Sequence, residues 1–160
     1  MKIRVGYGID VHKLAEGETL FIGGVKFDYH LGTIGHSDAD VLLHAISDAI
    51  LGAAGLRDIG YHFPDTSGEY KNIDSKILLK RVISLIEENN WRVENVDATV
   101  VLEQPKVNPR IHEIKDVLST ILKVTKDAVG IKATTSEKLG YVGAEKGIQA
   151  HAVALLIKDE

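Results

Sequence analysis

Residues 3–12, IRVGYGIDVH, alternate with a period of two. One strand face therefore carries Ile3, Val5, Tyr7, Ile9 and Val11, and the other Arg4, Gly6, Gly8, Asp10 and His12. The strongest later segment, HSDADVLLHAISDAILGAAGL, has helical spacing instead. Val41, Leu42, Ala45, Ile46, Ala49, Ile50 and Ala53 form one apolar stripe, and Gly52 and Gly55 weaken its end. A period-two strand followed by a one-sided helix commits the chain to a sheet with helices laid against it. The apolar strand face is expected to meet the core. The opposite face has two glycines without bulk, then a carboxylate and an imidazole pointing the same way. That end is either solvated or half of a metal site.

The remaining segments extend the same pattern. TLFIGGVKF reads as a β-hairpin turning at Gly23-Gly24, followed by a polar loop through Asp28, His30 and Gly35. Ser37 is the expected helix cap, with Asp40 three residues on. Residues 57–70 carry loop chemistry. A second helix is expected from about Asp74 to Asn90, with Ile77, Leu78, Val82, Leu85 and Ile86 inward. Val96–Leu102 reads as a strand, and Pro105 and Pro109 bracket a turn. A third helix presents Ile111, Ile114, Leu118 and Ile121 on one face. Val129–Thr134 is a strand, 135–147 a glycine-bearing loop, and Ile148–Lys158 a closing strand. With no repeat or linker, residues 1–160 are expected to form one α/β (α+β) domain, a mixed sheet with helices packed on one face.

At 160 residues the chain can bury a full core, and 23 acidic against 19 basic residues give a net charge of −4. That balance favours neither nucleic acid nor an anionic membrane as partner. An anionic substrate would need local features: backbone amides, a metal or single lysines. With no cysteine, disulfides and thiolate zinc sites are excluded. No apolar run approaches the roughly 20 residues of a membrane span, and no signal-peptide pattern opens the chain, so a cytoplasmic protein is expected.

Asp40, His44 and Asp48 fall at i, i+4 and i+8, on a line opposite the apolar stripe. His44 could lean towards Asp10 and His12. Two imidazoles and a carboxylate suffice for a zinc site with an open fourth position, whereas a surface histidine is more often only solvated. On local grounds Asp40 and Asp48 are solvating or supporting groups. His36 and Ser37, read as opening the helix, sit where free amides favour anions, a phosphate site or a plain cap. The loop DIGYHFPDTSGEY reads as a lid or binding loop, or as turn chemistry at Asp65, Thr66 and Ser67. In KATTSEKLGYVG, Thr134, Thr135 and Ser136 could hold phosphate oxygens and Glu137 a magnesium ion, or the segment is an ordinary strand exit. There is no Walker-type loop.

GYGIDVH, IGGV, GHSDADVLLHAISDAILGAAGLRDIGYHFPDT, QPKVNP, KATTSEKLG and AVALLIK, in order over essentially the whole chain, resemble the signature segments of the 2-C-methyl-D-erythritol 2,4-cyclodiphosphate synthases of the non-mevalonate isoprenoid pathway. The resemblance implies a homotrimer with active sites between neighbouring subunits. It puts zinc on Asp10, His12 and His44, and magnesium or manganese on Glu137. It puts the cytidine pocket on the 102–108 segment (Leu102, Pro105, Lys106, Val107, Asn108) with Ala133, Thr134 and Thr135. Transition-state stabilisation falls to His36 and Thr135. The methylerythritol part falls to Asp58, Ile59, Gly60, Phe63, Pro64, Asp65, Thr66 and Ser67. Asp10, His12, His36, Ser37, Ser136, Glu137 and Tyr141 complete the implied substrate contacts.

The implied reaction is an intramolecular phosphoryl transfer. The 2-phosphate of a cytidine diphosphate-linked methylerythritol attacks the β-phosphorus and CMP leaves, with the two cations absorbing charge. The attacking oxygen is already ionised, so no protein nucleophile is required. One departure stands out: GYVGAEKG has Ala144 where many members carry an arginine lining the trimer cavity. That puts an isoprenoid diphosphate ligand there in doubt, since Lys146 sits at a different position. Two rival readings stay open on the residues: a zinc phosphoester hydrolase, which lacks a convincing base, and a non-catalytic module with a structural metal, which would need a fourth protein ligand.

Overall fold

The computed structural model describes residues 1–159. Its main sheet has five strands in the order β4-β1-β7-β5-β6: β1 (Lys2–Glu16), β4 (Leu31–Ile34), β5 (Arg92–Val101), β6 (Val129–Thr134) and β7 (Gly147–Lys158). β5 and β6 run parallel, joined through helix α4 (Ile111–Leu122), and every other pairing is antiparallel. The sheet is mixed, as expected. A separate hairpin, β2 (Leu20–Ile22) and β3 (Val25–Phe27), turns at Gly23 and Gly24 with φ of 63° and 78°. Both turn positions are left-handed, which glycine adopts at little cost.

Helix α1 (Val41–Ala54) lies across β1 and β7, and α3 (Ser75–Glu88) packs against α1. Two short helices, α2 (Ile59–His62) and α5 (Gly140–Gly143), interrupt segments expected to be loops. The buried members of β5 and β7 (Val96, Ala98, Val100; Ile148, Ala150, Ala152, Ala154, Leu156) alternate and face the helices.

β1 reverses one expectation. Its glycine face, not its apolar face, looks at the core. A Cβ on Gly6 would lie 1.9 Å from the Ala49 carbonyl oxygen, and one on Gly8 2.0 Å from that of Ala45. Strand and helix thus meet backbone to backbone, and a larger residue on that face has no room. Ile3, Val5, Tyr7, Ile9 and Val11 are left on the outer face, each about half exposed, beside Val153.

Other expectations shift more locally. β4 was expected to be loop; its four residues pair with β1 between Lys13 and Glu16. α1 is capped by Asp40, not Ser37, because Asp40 Oδ1 accepts from Leu43 N at 3.0 Å. On α3, Ile77 is exposed at 43%, while Leu79 and Ile83 complete the buried face. α3 begins and ends within two residues of the expected bounds, capped by Asp74.

Candidate active site

Asp10 and His12 emerge from β1 on its helix-facing side, past the end of the glycine contact, and His44 stands on the first turn of α1. Three donor atoms meet there. Asp10 Oδ2 lies 2.8 Å from His12 Nε2 and 3.1 Å from His44 Nδ1, and the two imidazole nitrogens are 3.2 Å apart. Among the described residues this is the one group of three or more such side chains that could hold a metal ion.

The set fits zinc. Bonds of about 2.0–2.1 Å to tetrahedral donors hold those donors about 3.3 Å apart, within a few tenths of the spacing here. Both imidazoles are also oriented from behind: His12 Nδ1 lies 2.9 Å from the Ile34 carbonyl oxygen, and His44 Nε2 2.8 Å from Ser75 Oγ. Burial alone would raise the Asp10 carboxyl, but hydrogen bonds and charge from His12 and His44 outweigh it and hold the group down to about 2. Burial opposes charge on His12, yet its bond to Asp10 prevails and raises its pKa.

The three donors form one wall of a cavity of about 400 Å³. His36, Ser37, Ile59, Gly60, Phe63 and Asp65 line it too, so the structure gathers these sequence-chosen residues around the triad, with Tyr70 and Leu78 added. His36 Nε2 is 2.9 Å from the Ser67 carbonyl oxygen, tying the loop before α1 to the 63–70 segment. Asp58 caps α2 by accepting from Tyr61 N at 3.1 Å, and Asp48 Oδ1 accepts from Ile59 N at 2.8 Å. Burial raises the Asp48 carboxyl. Pro64 and Thr66 lie in the same loop but are exposed rather than cavity-lining.

His36 and Ser37 do not stand at a helix start, contrary to expectation, since α1 begins at Val41. Asp40 occupies that start. Its fully buried carboxylate accepts from Leu43 N and from both turn amides of the hairpin, Gly23 N at 2.9 Å and Gly24 N at 2.7 Å. Burial raises its carboxyl. Far from being solvated, Asp40 clamps the β2–β3 hairpin to the helix that carries His44.

A second cavity, of about 80 Å³, is lined by Leu102, Pro105, Lys106, Val107, Asn108, Ala133, Thr134 and Thr135. It shares no lining residue with the first. The expected nucleotide segment is therefore gathered, but apart from the triad within one chain. Sequence reasoning missed Glu103 here. Its Oε1 accepts from Ser136 N, Ser136 Oγ and Lys138 N at 3.0–3.2 Å, shaping the loop that presents Glu137. Burial would raise Glu103, but these hydrogen bonds lower it. Glu137 lines neither cavity, and its φ of 55° is left-handed. Tyr141 is on neither wall; its hydroxyl donates to Gln149 Oε1. Ala144 ends α5. No helix among the described residues is long and apolar enough to cross a membrane.

Comparison with known proteins converges on one family. The family model described as "YgbB family" matches residues 3–157. The 2-C-methyl-D-erythritol 2,4-cyclodiphosphate synthase of Phocaeicola vulgatus is 58% identical over 160 residues, covering all of both chains. That of Bacteroides thetaiotaomicron is 54% identical over 159 residues, 99% of this chain and all of the other. Among solved structures, the bifunctional IspDF of Campylobacter jejuni superposes with a TM-score of 0.95 at 36% identity. It covers 99% of this chain, which spans 43% of that longer one. The CDP complex of Plasmodium falciparum IspF gives 0.86 at 37% identity, covering 99% of this chain and 97% of that one. The chain belongs to the YgbB family, the family of its relatives the 2-C-methyl-D-erythritol 2,4-cyclodiphosphate synthases.

Proposed function

We propose that this chain converts 4-diphosphocytidyl-2-C-methyl-D-erythritol 2-phosphate into 2-C-methyl-D-erythritol 2,4-cyclodiphosphate and CMP, as a lyase of the non-mevalonate isoprenoid pathway. The observation that carries the reading is the Asp10–His12–His44 cluster on the wall of the cavity of about 400 Å³, in a chain of this family. Asp10, His12 and His44 would hold zinc, and Glu137 a magnesium or manganese ion. When bound, such cations supply Lewis acidity to phosphoryl oxygens.

The chain's own side chains do the rest. One 2-phosphate oxygen bonds to the β-phosphorus as the bond to the bridging α-oxygen breaks, and the electron pair departs with CMP. His36 and Thr135 stabilise the charge that builds on the phosphoryl groups. Asp58, Ile59, Gly60 and the 63–67 loop hold the methylerythritol, so that two mutually repelling anions are kept in line. Lys106 and its neighbours with Ala133 and Thr134 hold the cytidine.

We infer a homotrimer. Two features support it: the half-exposed apolar outer face of β1, and the separation of the triad cavity from the 102–108 cavity within one chain. A neighbouring copy would bury the first and close the second against the triad. A cytoplasmic location completes the proposal, in keeping with a chain that has no cysteine.

Phosphorus NMR of the products, with metal-depleted and zinc-restored protein, tests the reaction. Cyclic diphosphate plus CMP, dependent on restored metal, is expected. A linear phosphate product would instead identify a hydrolase.

A further inference from the structure

Behind the triad, and not among the residues that line its cavity, stands a pair that the reaction itself does not call on. His44 presents Nδ1 to Asp10 and His12, so its Nε2 points the other way, 2.8 Å from Ser75 Oγ. Ser75 is fully buried at the first position of α3. Its own hydroxyl proton is committed elsewhere: Ser75 Oγ–H donates to Asp38 Oδ1, and Ser75 N–H donates to Asp38 Oδ2 at 3.0 Å. Asp38 also accepts from Asp40 N at 3.2 Å, and its own N–H donates to the Ile73 carbonyl oxygen. The carboxylate is thus fixed by contacts on both sides of the junction between the 36–40 loop and α3.

The direction of one hydroxyl follows. A serine beside an imidazole can either donate to it or accept from it. With its proton drawn to Asp38, Ser75 can offer Nε2 only a lone pair. It therefore favours the imidazole with hydrogen on Nε2 and a bare Nδ1, the form that can bind a cation beside Asp10 and His12. Ser37 Oγ, 3.2 Å from Nε2, is the longer of the two contacts, and it already accepts from Ala39 N.

The geometry points to Asp38 and Ser75 as positioning residues for the metal: a carboxylate–hydroxyl–imidazole relay that keeps His44 Nδ1 free and aimed into the triad. The relay rests on the metal reading above, and its test separates the two. Isolated Zn²⁺ affinity, measured by competition with a chromophoric chelator, is expected to weaken about 10–100-fold in both Asp38→Asn and Ser75→Ala. The double variant is expected to be no weaker than the poorer single, because both changes break one chain of contacts. Asp74→Ala removes the cap of the same helix, where Asp74 accepts from Lys76 N at 2.8 Å, without touching His44. It should lower thermal stability and leave the zinc constant unchanged.

The wild-type protein gives a readout that does not depend on any variant folding. Loaded with ¹¹³Cd²⁺ and labelled with ¹⁵N-histidine, it should show cadmium coupling at His44 Nδ1 and a slowly exchanging proton on Nε2. Ligation through Nε2, zinc constants within threefold of wild type in both single variants, or fully additive losses in the double variant would each overturn the relay. Failure of the wild-type protein to take up Zn²⁺ or Cd²⁺ at all would overturn the metal reading instead.

Discussion

At Asp10 one carboxylate oxygen serves two imidazoles, and that sharing makes its charge state a stability matter as well as a ligand matter. The folded carboxyl is held to about 2, against 3.8 for the ordinary group. A depressed carboxyl contributes stability above its unfolded value and loses it as pH falls through the folded one, here between about 4 and 2. In metal-free protein that amounts to about 2 kcal/mol, shared with His12 and not to be counted twice. Urea midpoints of the Asp10→Asn variant should therefore fall less steeply than wild type across that interval. His44→Ala should abolish zinc binding and reduce turnover by about two to three orders of magnitude. It should still fold, at a cost of about 0.5–1.5 kcal/mol for the lost contact with Ser75, whose hydroxyl keeps its bond to Asp38. Normal turnover in that variant, measured by CMP release, would remove His44 from its role. The clustering of Asp10, His12 and His44 was legible because each came with a local pattern, D-x-H on a strand and a helical i, i+4 series. Glu103 and Ser75 were not, because their importance lies in amides and an imidazole more than thirty residues away.

At the scale of elements, the contact of β1 with α1 sets the architecture. A methyl group on Gly8 would lie 2.0 Å from the Ala45 carbonyl oxygen and 2.7 Å from Ala49 N, both backbone atoms that cannot swing aside. Gly8→Ala should cost about 3 kcal/mol or more, or prevent folding, as read by denaturant unfolding. The periods of β1, α1, α3 and α4 were plain in the sequence, and so were the hairpin glycines. Which face of β1 looks inward was not. Alternation distinguishes two faces without saying which is buried, and the apolar one is here turned outward. β4 escaped notice because LGTI is only four residues long between turn signals, and its pairing is dictated by β1 rather than by itself. The cap of α1 was misplaced for a related reason. Ser37 and Asp40 are both good caps, and the choice is made by Gly23 N and Gly24 N, which require a carboxylate at the helix start.

For the whole molecule, the separation of the triad cavity from the Lys106 cavity makes a sharp demand if neighbouring copies complete each other's sites. His44→Ala and Lys106→Ala proteins, each inactive or weakened alone, should regain activity when dissociated together and reassembled. In a random trimer about one site in four receives both intact halves, so recovery to about a quarter of wild type is expected. No recovery, with trimers verified by sedimentation, would place both halves of the site in one chain. The flush seating of Gly6 and Gly8 on α1 has a last, thermodynamic consequence. It locks Asp10 and His12 against the helix bearing His44, so the three donor groups stand gathered before any ion arrives. Calorimetric titration with zinc should then register proton and water release with almost no change in heat capacity, the mark of a cation entering a finished socket rather than one that must be folded around it.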